Sequence, residues 1–471
     1  MNAYNPIVEN VTIYDCTGDG VLIGGRDTLF TNFFIVENCQ IYNCRRQGVS
    51  VVAGKKGKIK NNEIFNINGI APQYGIDLEG TGNEELSVED NYIYDCVGGG
   101  VNVYNGNMHT VRGNKLKNNG IVTVYSDDVL VDGNIVYNDS IVCNSGSETE
   151  NITISNNLIK SGTISIGASN KNVLIEGNQL IDGLIYIAGC LDFKMSDNYI
   201  EKGDTYSVNG FRTVSTANGV IENLKVKGEY SDASIDLGNT TGDLLSFKDL
   251  TVEDYVQAYI SGGSGKVEID GFTFDRKDSV DSNAYEVIMG YNTTLANGLI
   301  INQLKSVYLS HTSNDVTIKN VSFKNPSNVR ILFINGSNLA KVLGCLFELP
   351  TTHTSDVLDL LGTPNVIFNN NTILKDGTTI ELIDVDDIGA YTIMVGNYIQ
   401  GRVSYKEGED VFIGNTVFDG VEHVEFPIGD IAYTPTSATD TGTKGQVKWD
   451  ANYVYVCVDT NTWKRSPLST W

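Results

Sequence analysis

The chain has 471 residues, with 58 acidic against 33 basic side chains and a net charge of −25. That balance excludes nucleic acid as a partner, because phosphate binding needs a basic surface, and it means that a polyanionic ligand would need local Arg or Lys or a bound cation. No apolar run approaches the roughly 18 residues of a membrane helix, and the sequence from Met1 shows no charged-then-apolar leader, so the reading is no membrane partner and no export signal of its own.

Gly is abundant at 49, Pro scarce at 8, and short Val/Ile/Leu pieces alternate with Asn, Asp and Gly, which is strand-and-turn chemistry. The organising signal is a repeat. Cys39-Gln40-Ile41, Asn62-Glu63-Ile64, Asn91-Tyr92-Ile93, Asn114-Lys115-Leu116, Asn134-Ile135-Val136, Asn157-Leu158-Ile159, Asn178-Gln179-Leu180 and Asn198-Tyr199-Ile200 recur every 20 to 29 residues. Units this short cannot bury an apolar face alone and must stack on a shared core, as solenoids do. A second alignment gives one strand per coil: Gly20-Val21-Leu22-Ile23, Gly48-Val49-Ser50-Val51, Gly75-Ile76-Asp77-Leu78, Gly100-Val101-Asn102-Val103 and Ile121-Val122-Thr123-Val124, continuing through Ile166 and Ile187. The two-residue period of a strand turns Ile23, Val51, Leu78, Val103, Val124, Ile166 and Ile187 inward and the residues between them outward.

Beyond residue 200 the repeat is less clean, with matches near Asn223, Asp249, Gly271, Asn320, Gly344, Asn371, Asn397 and Asn415. The expected fold is all-β: a right-handed parallel β-helix over 1–425 of about 18 coils, a rod on the order of 85 Å at about 4.8 Å per coil. No capping helix opens it, so the chain is expected to begin inside or beside the solenoid, with a part preceding residue 1. A linker follows over 426–443, and a small β module of three aromatic strands around Trp449, Tyr455 and Trp463 occupies 444–471.

Cys16, Cys44 and Cys96 fall at one place in the repeat (YDC, YNC, YDC) and read as a column of buried thiols rather than disulfides or metal ligands. Four scattered histidines give no zinc spacing, Gly262 to Lys266 lacks a phosphate-loop pattern, and the N-x-S/T matches follow from the repeat's own vocabulary. No organic cofactor or metal is implied, and calcium is the divalent cation that an acidic face would hold if it held one.

Two stretches carry a resemblance. Arg45-Arg46-Gln47-Gly48 through Asn61-Asn62-Glu63-Ile64 and Ala71 to Glu79 resembles the pectate-lyase-like right-handed β-helix superfamily, which includes many phage tailspikes. The terminal stretch from Gly442 to Trp471 resembles a module at the C-termini of phage tail fibres and tailspikes. Together they imply a bacteriophage tailspike or appendage: a homotrimer in the virion tail, beside other phage tail proteins, that binds and degrades a bacterial surface polysaccharide or teichoic acid as a hydrolase or lyase. The catalytic tripeptides of the pectate lyases and polygalacturonases proper are not found. A non-catalytic receptor-binding fibre, or an extracellular bacterial lyase, hydrolase or epimerase, remain the alternatives, because fold does not fix chemistry.

Asp77 and Glu79 are the candidate acid/base pair. At outward positions i and i+2 of one strand their carboxyls would stand about 6–7 Å apart, nearer the inverting than the retaining spacing of glycosidases. Ser50 and Val52 flank them on one side, and Asn102, Tyr104, Thr123 and Tyr125 on the other. Arg45, Arg46, Gln47, Tyr74, Asn102, Tyr104, Tyr125 and Asp127 are the candidate substrate-binding residues, Tyr rings for stacking on sugars and the polar groups for hydroxyls. Asp127-Asp128 reads first as a turn cap, as do Asp19, Arg26 and Asp27, and Glu381 with Asp384, Asp386 and Asp387 reads as a charged loop.

Overall fold

In the computed structural model the described residues are 4–25, 29–124, 126–143, 148–203, 209–215, 218–230, 233–238, 244–255, 257–261, 265–276, 285–311, 315–336, 339–361, 365–375, 381–384, 391–404, 411–418, 423–425, 435–442, 444, 447–449 and 452–467. They are all-β, without a helix. The chain divides into two compact units, Met1–Gly298 and Leu299–Trp471.

In the first unit each coil lays down three short strands, and each strand pairs in parallel with its counterparts one coil before and after. One face stacks Ile7–Glu9, Ile35–Glu37, Lys58–Lys60, Ser87–Glu89 and Thr110–Arg112. A second stacks Thr12–Tyr14, Gln40–Tyr42, Glu63–Phe65, Tyr92–Tyr94 and Lys115–Lys117. The third, which carries the candidate acids, stacks Val21–Ile23, Val49–Val51, Tyr74–Leu78, Gly99–Tyr104 and Ile121–Val124. Alternation sends Val36, Ile59, Val88 and Val111, Ile41, Ile64, Ile93 and Leu116, and Val51, Leu78 and Val103 into one continuous core. Burying each such side chain stabilises by about 1.5–3 kcal/mol, and β-branched residues suit the pleat.

The corner between the first two faces is a single residue in the left-handed region, Asn10, Asn38, Asn61, Asp90 and then Gly113 and Gly133. Only Asn, Asp and Gly reach that conformation cheaply, which is why the sequence spells turns in those letters. The repeat's next position is a buried amide ladder. Asn62, Asn91, Asn114, Asn134, Asn157, Asn178 and Asn198 each accept, through Oδ1, the backbone N–H of the ladder residue one coil earlier. From Asn62 onward the earlier residue's Nδ2 donates to the same oxygen, and the ladder starts with Cys39, whose backbone N–H donates to Asn62. Buried amides are satisfied within the stack and so cost little.

Glycines fix the start of the third face. A Cβ on Gly48 would lie 2.4 Å from the Gly75 carbonyl oxygen and one on Gly75 would lie 2.8 Å from that of Gly100, so the coils can approach only without side chains there. This column corrects the alignment expected from sequence. Gly100 N–H donates to the Gly120 carbonyl, and Ile121 pairs with Val101, not Gly100. Thr123 therefore pairs with Val103, in the place expected of Val124, because the glycine and not the first apolar residue sets the register. Spacing between counterparts varies from coil to coil, as in Val21↔Val49, Ile121↔Ile141 and Ala258↔Val287.

The thiol column also differs in detail. Ile67 stands between Cys44 and Cys96, since Tyr42, Phe65 and Tyr94 occupy consecutive coils. None of the eight cysteines forms a disulfide; Cys16 is part-exposed and the rest are buried.

The second unit repeats the scheme. Ser306–His311, Leu332–Gly336 and Leu358–Leu361 stack in parallel. The amide ladder resumes at Asn371, Asn397 and Asn415, and the rings of Phe323, Phe347 and Phe368 stack on one another. His423–Glu425 pairs antiparallel with Thr416–Phe418. Near the C-terminus Val447–Trp449, Tyr453–Asp459 and Thr462–Pro467 form their own antiparallel sheet, with Trp463 packed on Tyr455 and Cys457 and its Nε1 donating to the Asp440 carbonyl at 3.1 Å.

Candidate functional site

The third face of the first unit presents two neighbouring columns between its core positions. Leu22, Ser50, Asp77 and Asn102 occupy one, in register across four coils. Val52, Glu79 and Tyr104 follow two residues on, Glu79 N–H donating to the Val51 carbonyl at 3.1 Å. Ahead of the glycine column stand Asp19, Gln47 and Tyr74, and ahead of those Arg46.

These columns converge on one polar cluster. Asp77 Oδ1 accepts from Asn102 Nδ2 at 2.8 Å, and Oδ2 accepts a short bond from Gln47 Nε2. Glu79 Oε1 accepts from Ser50 Oγ at 2.8 Å. Arg46 bridges two acids, donating to Asp19 Oδ2 at 3.0 Å and lying 3.5 Å from Glu79 Oε2. Gln47 and Ser50 are buried, Arg46 and Glu79 half-buried.

Asp77 departs from the sequence expectation. Alternation does turn it away from the apolar core, but it is only 2% exposed, not a solvated surface acid. Gln47 and Asn102 bond both of its oxygens, and the bulk around it replaces water. Burial pushes its carboxyl up to about 7, with the charges of Glu79 and Asp19 adding to the rise and the Asn102 bond and Arg46 opposing it. Burial also raises Asp19, against the lowering effect of Arg46. Burial raises the Tyr74 phenol, reinforced by the charge of Asp77. An acid held near neutrality beside an arginine-paired carboxylate is the arrangement that general acid/base chemistry uses.

The other expected residues fall as follows. Arg46, Gln47 and Asn102 touch the acids directly. Tyr74 borders Asp77 electrostatically, and Tyr104, 40% exposed, stands one coil beyond Glu79. Arg45 is exposed and packs its Cγ toward Gly69. Asp127 lies in a separate column with Lys55, Glu84 and Asn107, and its Oδ1 accepts the Glu150 N–H at 2.8 Å. Its neighbour Asp128 takes the left-handed turn conformation. Tyr125, Arg26, Asp27, Asp386 and Asp387 lie outside the described residues. Along the strand Val122 pairs with Asn102 and Thr123 with Val103, so Thr123 is not the backbone partner of the Asp77 column.

Asp19 is the residue that sequence reasoning passed over as a turn cap. The signal was available: Asp19-Gly20, Gln47-Gly48 and Tyr74-Gly75 repeat a polar residue before the same glycine column. Two buried acceptors, Asp19 Oδ1 and Gln47 Oε1, have no hydrogen-bond donor among the described residues. No group of three or more His, Cys, Asp or Glu side chains there is arranged to hold a metal ion.

Comparison with known proteins agrees with the fold. Residues 1–141 and 31–180 match the family model described as a right-handed β-helix region. The uncharacterized protein YclG of Bacillus subtilis is 25% identical over 246 residues, 45% of this chain and 42% of that protein. A capsule K30/K69-specific depolymerase of Klebsiella phage K5-2 is 33% identical over 92 residues, 18% of this chain and 10% of the phage protein. The chain thus covers less than half the length of either relative. Among solved structures, the catalytic domain of a GH87 α-1,3-glucanase superposes over 71% of this chain and 61% of its own at 14% identity, with a TM-score of 0.39. By its strand ladders and the family-model match, the chain is a right-handed parallel β-helix protein, with sequence similarity to capsule depolymerases of Klebsiella phages.

Proposed function

We propose that the chain degrades a bacterial surface polysaccharide, with Asp77 as proton donor and Glu79 as the companion carboxylate. The observation that carries this reading is the buried Asp77 carboxyl, raised to about 7, next to a Glu79 paired with Arg46. Gln47 and Asn102 hold the Asp77 carboxyl in place, and Ser50 and Arg46 do the same for Glu79. Tyr104 offers an exposed ring on which a sugar can stack. The capsule depolymerases that share sequence with the chain support the substrate class. By the same resemblance the chain works as a trimeric appendage of a phage tail, and light scattering of the purified protein should return three times the chain mass.

The near-complete burial of Asp77 favours a second reading, a fibre that binds glycan without cutting it. Incubation with capsule and wall polysaccharides separates the two. The wild type should release new chain ends and Asp77→Asn should not. Binding without cleavage by both proteins would establish the second reading.

A further inference from the structure

The cluster around Asp77 holds three carboxyl groups, Asp19, Asp77 and Glu79, against one guanidinium, Arg46, so that even with Asp77 protonated two acids face one cation. Arg46 is shared between Asp19 and Glu79, and no other cation among the described residues acts on Asp77 or Asp19. The hydrogen-bond inventory is similarly one-sided. Arg46, Gln47, Ser50 and Asn102 each already donate to one of the acids, while Asp19 Oδ1 and Gln47 Oε1 are acceptors with no donor among the described residues. Apart from the remaining N–H groups of Arg46, Gln47 and Asn102, a ligand here meets lone pairs and an excess of negative charge. Sugar hydroxyls and amides bring donors, whereas a sugar carboxylate brings only acceptors and a like charge.

The flanks are apolar. Leu22 is 59% exposed one coil before Ser50, and Val52, 43% exposed, and Tyr104 stand one coil to either side of Glu79. Coils stack about 4.8 Å apart, so Val52 and Tyr104 offer C–H and ring surfaces to the sugars on both sides of the acid pair.

We infer that the glycan units bound across this cluster are uncharged sugars and that the bond between them is cleaved by hydrolysis, not by β-elimination. The inference rests on the reading of Asp77 and Glu79 as the working pair. Elimination removes the proton next to a uronate carboxylate and needs that carboxylate neutralised by a cation, and Arg46 is already committed. Hydrolysis needs nothing that the cluster lacks. The anomeric C–O bond breaks and Asp77 gives its proton to the leaving oxygen. Water adds its hydroxyl to the anomeric carbon and its other proton passes to Glu79; Glu79 then releases that proton to solvent, from which Asp77 takes one up, restoring both groups.

The test is a panel of bacterial capsular and wall polysaccharides, half neutral and half uronate-bearing, each uronate polymer assayed before and after chemical reduction of its carboxyl groups. New reducing ends and the ultraviolet absorbance of unsaturated uronates are read in parallel, for the wild type and Asp77→Asn. Expected are saturated products from neutral polymers, and a rate on the order of 10-fold higher or more once carboxyls are reduced. Unsaturated products that vanish in Asp77→Asn would overturn the inference but keep Asp77 as a working residue. Cleavage indifferent to Asp77→Asn, or neither binding nor cleavage of any polymer, would overturn the underlying reading and the inference with it.

Discussion

Replacing Asp77 by Asn should make the protein more stable at alkaline pH while it loses activity. The folded state holds this carboxyl at about 7 against an ordinary value of 3.8. A carboxyl raised in the fold contributes stability that is complete below its unfolded value and is lost as pH rises through the folded one. Between pH 4 and 7 the wild type therefore gives up about 4 kcal/mol, at 1.36 kcal/mol for each of roughly three pH units. Asparagine carries no such pH dependence, but it presents a donor to Gln47 or Asn102, at a cost of about 1 kcal/mol. The net expectation is a variant about 2–3 kcal/mol more stable at pH 8 and up to about 1 kcal/mol less stable at pH 4. Far-ultraviolet circular dichroism in urea is the appropriate probe, because all three tryptophans, Trp449, Trp463 and Trp471, lie far along the sequence from this site and their fluorescence would report other strands. A difference between the two proteins that stays flat from pH 4 to 8 would refute the account of the buried acid.

Activity of the wild type should fall as pH rises through about 7, following the loss of the Asp77 proton, and Glu79→Gln should lower turnover by a factor on the order of 10². Tyr104→Ala should weaken glycan binding with turnover of bound substrate retained, measurable as a rise in KM. In the amide ladder, Asn114→Ala strands the Asn91 N–H and one Asn91 amide hydrogen. It should cost about 3–5 kcal/mol, whereas Asn118→Gly, at an exposed left-handed turn where the side chain donates to Asp95 and accepts from Asn138, should cost less than about 1, in urea unfolding or amide exchange of the adjoining coils. A thiol reagent should label Cys16 in the native protein and all eight cysteines after unfolding.

The recurrent Asn positions were legible as a period and proved to be the buried ladder, since a side chain that must repeat at every coil repeats in the sequence. The core at Ile23, Val51, Leu78 and Val103 was legible from alternation for the same reason. The register at Ile121 was not, because apolar matching cannot see that a Cβ has no room beside the next coil's carbonyl. Nor was the burial of Asp77. Alternation says which way a side chain leaves the strand but not what covers it, and the cover comes from Gln47 and Asn102 in neighbouring coils. Asp19 was hidden by the habit of reading Asp-Gly as a turn, although its tie to Arg46 crosses one coil.

The amide ladder has a direction. Each Asn reaches back toward the chain start, Asn114 to the carbonyl of Val88 and Asn134 to that of Val111, while its Oδ1 serves the residue one coil earlier. Every rung thus presents the same plug to its predecessor and the same socket to its successor. A whole coil excised between two ladder asparagines, such as the stretch from Asn134 to Asn156, leaves plug and socket to rejoin, and a duplicated coil inserts as readily. Length in such a molecule is a quantity that gene rearrangement can edit in units of one coil, leaving the bonding rule that joins them untouched.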